Sequence, residues 1–268
     1  MEENNNYLNE EAEEVEISHM DKMVGVFTEP GATFKAIASA PAKITDWLIP
    51  LIIVVALSIG TQFLVMSNPV LKMKAIEKQM GAIEEQFQKA IDEGQMSQEQ
   101  VDAQIEQIRG QMEQNMSAGL VMNSVIGVIA GFLIFFLIAS IFFGIFKVAY
   151  KSPMDYGHAL VAFGLPGYIT ILEVVAMVVY MFATDNIVDG ANVAAFMGME
   201  KTTFTAFLLA KAAPIKIWAF AVTGIGMAKI SNDDNSMKYI LMMLGVWFGW
   251  GVIMYFLSSM VPFLRYFI

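Results

Sequence analysis

The sequence predicts an all-α integral membrane protein, a bundle of five transmembrane helices with an extramembrane helical hairpin between spans one and two. Hydrophobic residues make up 56% of the 268 residues and charged residues only 16%, whereas a typical soluble domain carries about 25% charge. The apolar residues are concentrated in five runs, each long enough for a helix to cross a hydrocarbon core of about 30 Å. Transmembrane β-strands would be about 10 residues long and would alternate polar with apolar positions, so the continuous runs favour helices.

The predicted spans are free of charge except for the third and the fourth. Span one begins with Trp47, a residue type enriched at membrane interfaces, and has Pro50 in its first turn, where proline costs little stability. Span three contains Glu173, and span four contains Lys211 and Lys216. The five spans are 47–66, 119–146, 159–183, 204–228 and 239–264.

The chain before span one divides into two polar segments. Residues 1–20 contain seven Glu and no Lys or Arg, which predicts an acidic, disordered tail. Residues 21–46 are predicted to form a membrane-proximal amphipathic segment. Within it, Phe34 and Ile37 lie three positions apart and share a helix face, which we expect to rest on the lipid headgroups.

Residues 67–118 predict a helical hairpin that projects from the membrane. Asp92-Glu93-Gly94 interrupts its pattern, and Ser97 with Gln100 forms a capping box that starts the second helix. We expect the apolar seam to close within the hairpin, and recruitment of another chain along this seam is the alternative. The seam of the first helix steps by three and four residues, as a heptad repeat does: Met73, Ile76, Met80, Ile83, Phe87 and Ala90.

The segment that leads into span one carries a recognisable pattern. It is F-x-E-P-x-x-T-F-x-x-I-x-x-x-P-x-x-x-x-x-W-x-x-P-L, formed by Phe27, Glu29, Pro30, Thr33, Phe34, Ile37, Pro41, Trp47, Pro50 and Leu51. This lead-in motif resembles the corresponding segment of the prokaryotic branch of the Yip family. Weaker matches follow in order, and they extend the resemblance over residues 22–264: Tyr156, His158-Ala159-Leu160, Leu165-Pro166, Ile217-Trp218 and Gly224-Ile225-Gly226.

The resemblance implies a five-span architecture and a non-catalytic membrane scaffold or interaction/trafficking-type role. Eukaryotic Yip proteins span the membrane several times and interact with Rab-type GTPases. Their Asp-Leu-Tyr-Gly-Pro-type motif is replaced here by Asp155-Tyr156-Gly157, which is only a loose echo. We therefore carry over the architecture and leave GTPase binding aside.

Glu173 and Lys216 are the candidate functional pair. An ionisable group at mid-bilayer costs from about 3 to more than 10 kcal/mol, so such groups usually face a partner or a cavity. A Glu173–Lys216 pair between spans three and four would remove both uncompensated charges, and fixing helix register is its favoured role. Two alternatives stay open: Lys216 reaches outward if the span starts near Lys211, or Glu173 is protonated and neutral.

Prolines and glycines within the spans provide further candidates. Pro166 and Pro214 are expected to kink or break spans three and four. Because broken helices line substrate sites in transporters, a small transporter or channel using Glu173 and Lys216 is the alternative function. Two G-x-x-x-G motifs allow close helix approach, for which internal packing is favoured over homodimerisation; they are Gly127 with Gly131 and Gly245 with Gly249.

Several function classes are excluded by composition. The absence of cysteine excludes disulfides, zinc–thiolate sites, iron–sulfur clusters and thiol catalysis. No serine elbow, phosphate-binding loop or paired-carboxylate spacing is present, so we expect no enzymatic activity and no cofactor or metal. The net charge of −10 and the scarcity of basic clusters argue against nucleic-acid binding.

The expected location is the bacterial inner (plasma) membrane. Basic residues near the span ends divide equally between the two faces, so the positive-inside rule does not orient the chain. The family resemblance favours a cytoplasmic N-terminus. The expected partners are membrane lipids, a protein that docks at residues 20–46 or 67–118, and further copies of this chain in a homo-oligomer.

Overall fold

The computed structural model describes residues 17–199 and 203–260, apart from the side chains of 82, 85, 89, 113–118 and 259–260. Within these ranges the chain is helical and contains no strand, which confirms the predicted all-α class. The helices are α1 His19–Thr28, α2 Pro30–Ala38, α3 Ile44–Ser67, α4 Pro69–Asp92, α5 Gln98–Ala149, α6 Tyr156–Gly164, α7 Gly167–Thr184, α8 Val193–Phe196, α9 Phe204–Lys211, α10 Pro214–Ile230 and α11 Ser236–Met260.

Four helical segments are long and apolar enough to cross a membrane, and the bent pair α9–α10 gives a fifth when it is counted as one span. Half of the most apolar stretch in Tyr156–Thr184 is buried inside the protein, against 17% in each of the other three segments. Span three is therefore more buried than these three segments, which present apolar side chains outward, as expected of a membrane protein. The other three segments are Ile44–Ser67, Gly119–Ala149 and Ser236–Ser258.

Spans one and three pack side by side through two glycines. A Cβ atom on Gly164 would lie 2.4 Å from the Cβ of Trp47, and one on Gly167 would lie 3.2 Å from the Cβ of Pro50. From the first contact to the second, the residue numbers rise by three in both spans, so span one runs parallel to α6 and α7. Pro166 lies between these glycines, where α6 ends and α7 begins.

The segment before span one forms two helices that are packed into the protein core. Phe34 and Ile37 are buried in the main hydrophobic cluster, and the ring of Phe34 covers Gly226 of α10. The expectation that these two side chains rest on lipid headgroups is wrong. The ring of Phe34 fills the space that Gly226 leaves by having no side chain. This face of α2 therefore packs against protein. Of the predicted acidic tail, residues 1–16 lie outside the described residues, and α1 begins at His19.

The hairpin is built from α4 and the first part of α5. Helix α5 runs without a break for 52 residues, so the second hairpin helix and span two are one helix. Met80 of α4 and Val101 of α5 are buried, and Arg109 lies 3.8 Å from Glu84. Met73, the first residue of the predicted seam, is 61% exposed.

Of the two G-x-x-x-G motifs, only Gly131 meets another helix among the described residues. A Cβ on Gly131 would lie 3.1 Å from Val55 Cγ2, whereas none of the described atoms lies within 4 Å of a Cβ placed on Gly127, Gly245 or Gly249. The expected role of these glycines, close packing of helices within the bundle, is therefore found only for Gly131 among the four. The other three glycines face outward.

Candidate functional site: a polar cluster at the broken fourth span

The Glu173–Lys216 pair is present in the structure. Lys216 Nζ lies 3.3 Å from Glu173 Oε1, with side-chain exposures of 43% and 10% respectively. Glu173 belongs to α7, and Lys216 lies in the first turn of α10. Lys216 is the third residue of α10, so the ion pair forms at the start of this helix, just after the interruption at Ala212 and Ala213.

The predicted fourth span consists of two helices, α9 and α10, with a break between them. The two helices meet at 55° across Ala212 and Ala213, and Pro214 begins α10, a position that needs no backbone donor. The amide N–H of Val193 donates to the carbonyl oxygen of Ala212 at 3.1 Å. A backbone acceptor freed by the break is therefore satisfied by a neighbouring segment, as a low-dielectric environment requires.

That neighbouring segment is the connection between spans three and four, which folds back into the bundle. Val188, Ala191 and Ala194 are buried within it. Asn192 is also buried, and its side chain caps the short helix α8 by accepting from the Ala195 amide at 3.0 Å. These three apolar side chains are buried, whereas Phe196 and Met197 farther along the connection are 45% and 64% exposed.

The break and the folded-back connection enclose a polar cavity of about 100 Å³. A Cβ on Gly190 would lie 3.7 Å from Glu173 Oε1, so the ion pair lies beside this cavity. The Lys211 ammonium lies 5.3 Å from the centre of the Phe207 ring and 5.0 Å from that of the Trp247 ring, at cation–π distance. The polar side chains of the wall are Asp189, Asn192, Lys211 and Lys216.

The hairpin is joined to the same region. Lys78 of α4 lies 2.6 Å from Asp189 Oδ1, and Lys74 donates to Asn186 Oδ1 at 2.9 Å. At the base of α4, Leu71 is buried in a small cluster with Val65 and Met181. The hairpin is therefore tied to the cavity through Asp189, which lines the cavity wall and pairs with Lys78.

A second polar cluster was missed by sequence reasoning. Asp46, in the first turn of α3, accepts from Lys22 Nζ at 2.6 Å, and both side chains are almost fully buried. His19 Nδ1 lies 2.8 Å from the other oxygen of Asp46, and His19 Nε2 lies 2.7 Å from the Tyr168 hydroxyl. This Lys22–Asp46–His19–Tyr168 cluster fastens α1 to spans one and three. The sequence feature that could have indicated this cluster is Asp46, a charged residue directly before Trp47 at the start of an apolar run.

The lead-in motif is explained by packing. Thr33 Oγ1 donates to the carbonyl of Glu29 at 2.9 Å, and it lies so close to Gly25 that a Cβ there would be 2.1 Å away. Pro30 occupies the first position of α2. Phe27 packs edge-on against Trp218, and Trp47 stacks on Phe135 at 5.6 Å. Phe27, Thr33 and Trp47 therefore help to hold α1, α2 and α3 in place.

A third polar cluster joins the start of α11 to the end of α5 and to the turn before α11. The Lys238 ammonium pairs with Asp233 and lies about 5 Å from the ring centres of Tyr150 and Tyr239. Hydrogen bonds from Lys238 and from the Asn235 amide hold the pKa of Asp233 below its ordinary value of 3.8.

Asp155 caps the start of α6, and the pKa of its carboxyl is lowered, as it is for Asp233. Burial raises the pKa of its carboxyl, but hydrogen bonds from the His158 amide and imidazole outweigh this and leave the pKa below 3.8. His158 Nε2 also lies 2.9 Å from the Ala40 carbonyl oxygen, which links α6 to the connection between α2 and α3.

In residues 17–199 and 203–260, no three His, Asp or Glu side chains are grouped so that they could hold a metal ion. In comparisons with known proteins, the chain matches no family model, no curated protein and no solved structure. The Yip resemblance stays a prediction based on the motif residues themselves.

Proposed function

We propose that this chain is a non-catalytic, Yip-like membrane protein of the bacterial inner membrane that acts as a scaffold or interaction protein. The proposal is supported by four or five helices of membrane-spanning length. The observation that carries it is helix α5, which continues span two into the hairpin without a break.

An unbroken helix makes the hairpin a stiff arm. Residues 98–118 precede the apolar part of α5, and at 1.5 Å per residue they extend about 31 Å. The arm is fixed at its base, because Lys74 and Lys78 bond to the connection between spans three and four. A rigid, polar arm of this length suits the presentation of a docking surface away from lipid.

Of the two expected docking regions, the hairpin is favoured over residues 20–46. The side chains of the lead-in motif are used internally, since Phe34, Thr33 and Ile37 are buried. The solvent-facing side of α2 offers mainly Ala and one Lys, Lys35. The hairpin instead keeps long polar and charged side chains outward along both helices.

The test is crosslinking and affinity capture from native membranes with two chains. One is the full chain, and the other lacks residues 82–108, rejoined by a Gly-Ser turn, so that Lys74, Lys78 and span two are kept. We expect both chains to insert and to unfold at similar temperatures, and only the full chain to capture its partners. Capture of the same partners by the shortened chain would contradict the hairpin as the docking arm.

Transport is the second candidate, favoured by the ion pair beside a broken span and its polar cavity. The test is proton and cation flux into proteoliposomes with the wild-type chain, Glu173→Gln, Lys216→Met and the double variant. A transporter would show flux that each single variant abolishes. A scaffold would show no flux above empty vesicles and a change in stability only.

A further inference from the structure

One face of the hairpin has an apolar centre and an uncharged polar border. Ile83 of α4 and Ile108 of α5 are only partly buried. They lie at nearly the same height along the hairpin, because Arg109 Nη2 lies 3.8 Å from Glu84 Oε1. We name this surface the glutamine face, since four exposed glutamines border the two isoleucines: Gln79, Gln86, Gln104 and Gln111.

Helix geometry places the four glutamines on the same side of the hairpin. The two glutamines of each helix are seven residues apart, which is about two turns, so they form a line along the helix beside the apolar seam. On both helices, the other side of the seam carries the ion pair of Glu84 and Arg109. Because these two side chains meet on one face of the hairpin, the two lines of glutamines lie together on the opposite face.

The two faces of the hairpin differ in charge. The face of the ion pair is acidic and also carries Glu77, Asp102 and Glu106, all of them exposed. By the same helical spacing, none of the charged side chains that the structure describes between residues 77 and 109 lies on the glutamine face. Two acidic faces repel each other. Two glutamine faces do not, and their amides both donate and accept hydrogen bonds, so this face is complementary to itself.

We propose that the hairpin docks through its glutamine face onto the hairpin of a second copy of this chain. The inference rests on the proposed function, in which the hairpin is the docking arm, and it names the partner. A two-fold axis along the arms would place α4 of one copy against α5 of the other, with Gln86 near the second copy's Gln104. The isoleucines would then form the apolar centre of the interface and the amides its polar rim.

The small size of the glutamine face suits a dimer that forms within a membrane. The face extends about 18 Å along the helices and about 20 Å across them. It therefore covers roughly 360 Å² per copy, less than half of the roughly 800 Å² of a standard interface. Two copies inserted in one bilayer in the same orientation have already lost part of the freedom that association in solution removes, so a smaller face suffices.

The first test is crosslinking between two differently tagged copies of the full chain in native membranes. Because the protein contains no cysteine, single cysteines and a short bifunctional maleimide report proximity without background. A copy with Gln86→Cys should be crosslinked to a copy with Gln104→Cys. The matched control is Gln88→Cys with Glu106→Cys, two exposed positions at similar height on the acidic face, and this pair should not be crosslinked.

The second test changes the charge of the glutamine face and measures energy transfer between labelled full chains in proteoliposomes. Gln86→Glu with Gln104→Glu would set carboxylates against each other twice in the dimer, which should weaken it about tenfold. Gln86→Lys with Gln104→Glu should restore the energy transfer, because opposite charges then meet. Gln88→Glu, which adds a carboxylate to the acidic face instead, should leave it unchanged.

Three outcomes would overturn docking through the glutamine face. They are equal crosslinking of the two cysteine pairs, equal energy transfer in the wild-type chain and the double glutamate variant, and a dimer that persists in the chain lacking residues 82–108. A chain that stays monomeric while its hairpin still captures other proteins loses this inference alone. Capture of the same partners by the shortened chain contradicts the proposed function itself.

Discussion

The buried Lys22–Asp46 ion pair gives the sharpest test of how α1 and α2 are held. Asp46→Ala would leave the Lys22 ammonium buried without its counter-charge, with both groups at most 4% exposed in the native chain. Removing one partner of a buried pair costs about 3–5 kcal/mol. The hydrogen bond between Asp46 and His19 is lost as well.

The expected loss is large enough to measure as a melting temperature. For a domain of this size, 1 kcal/mol corresponds to about 2–4 °C, so Asp46→Ala should lower Tm by roughly 6–20 °C. The assay is thermal unfolding of the detergent-solubilised chain followed by circular dichroism. Limited proteolysis should show cleavage around α1 and α2 before the spans are cut.

Two further chains make the result specific. Asp234→Ala removes an exposed carboxylate that pairs with Lys229 at 2.9 Å, and exposed pairs contribute at most about 1 kcal/mol. The double variant Lys22→Met with Asp46→Leu should recover most of the loss, since apolar replacement of a whole buried pair is often neutral. If Asp46→Ala melts within about 2 °C of Asp234→Ala, the reasoning about this cluster is refuted.

Three other predictions follow from the packing and the charges. Gly164→Ala should destabilise the chain by about 1–3 kcal/mol, because its Cβ would lie 2.4 Å from Trp47, whereas Gly144→Ala, with open space, should be neutral or stabilising in the same melts. Asp155→Ala should lower the stability by roughly 1 kcal/mol at pH 7, because a helix cap is lost. The pKa of Asp155 in the folded chain is below 3.8. The stability that Asp155 contributes is therefore present above pH 3.8 and is lost on acidification below it. The variant should therefore show a shallower fall of Tm below pH 4, and an unchanged slope would argue against the cap. Glu173→Gln should destabilise less than Glu173→Ala, because the amide can still accept a hydrogen bond from Lys216, and equal melts for the two would show that this contact is unimportant.

The spans were predictable because their determinant is local. A run of about 20 apolar residues needs no tertiary information, and the five predicted ranges overlap the helices found. Pro214 likewise marked the break in span four by its own chemistry, since proline removes a backbone donor. The Glu173–Lys216 pair was one of the alternatives drawn from the sequence, because opposite charges within apolar spans have a strong reason to meet.

What escaped prediction depends on partners distant in sequence. An amphipathic face on α2 does not reveal whether it meets lipid or protein, and the deciding feature was the space left by Gly226 far along the chain. Asp46 lies next to an ordinary interfacial Trp, and its role appears only when Lys22 and His19 of α1 are placed beside it. The connection before span four contains Asp189 and Asn192, and nothing local in its sequence indicates that these two side chains line a cavity with residues of α9 and α10.

Site-directed labelling tests the central claim, that this chain crosses a bilayer with lipid around its apolar helices. The protein contains no cysteine, so single cysteines at Ser39, Gln88 and Leu137 report cleanly with a membrane-impermeant maleimide. We expect Gln88→Cys to react in spheroplasts, Ser39→Cys to react only in inverted vesicles, and Leu137→Cys to react in neither until detergent is added. Reaction of Leu137→Cys in intact membranes, or recovery of the chain in the soluble fraction, would contradict the account.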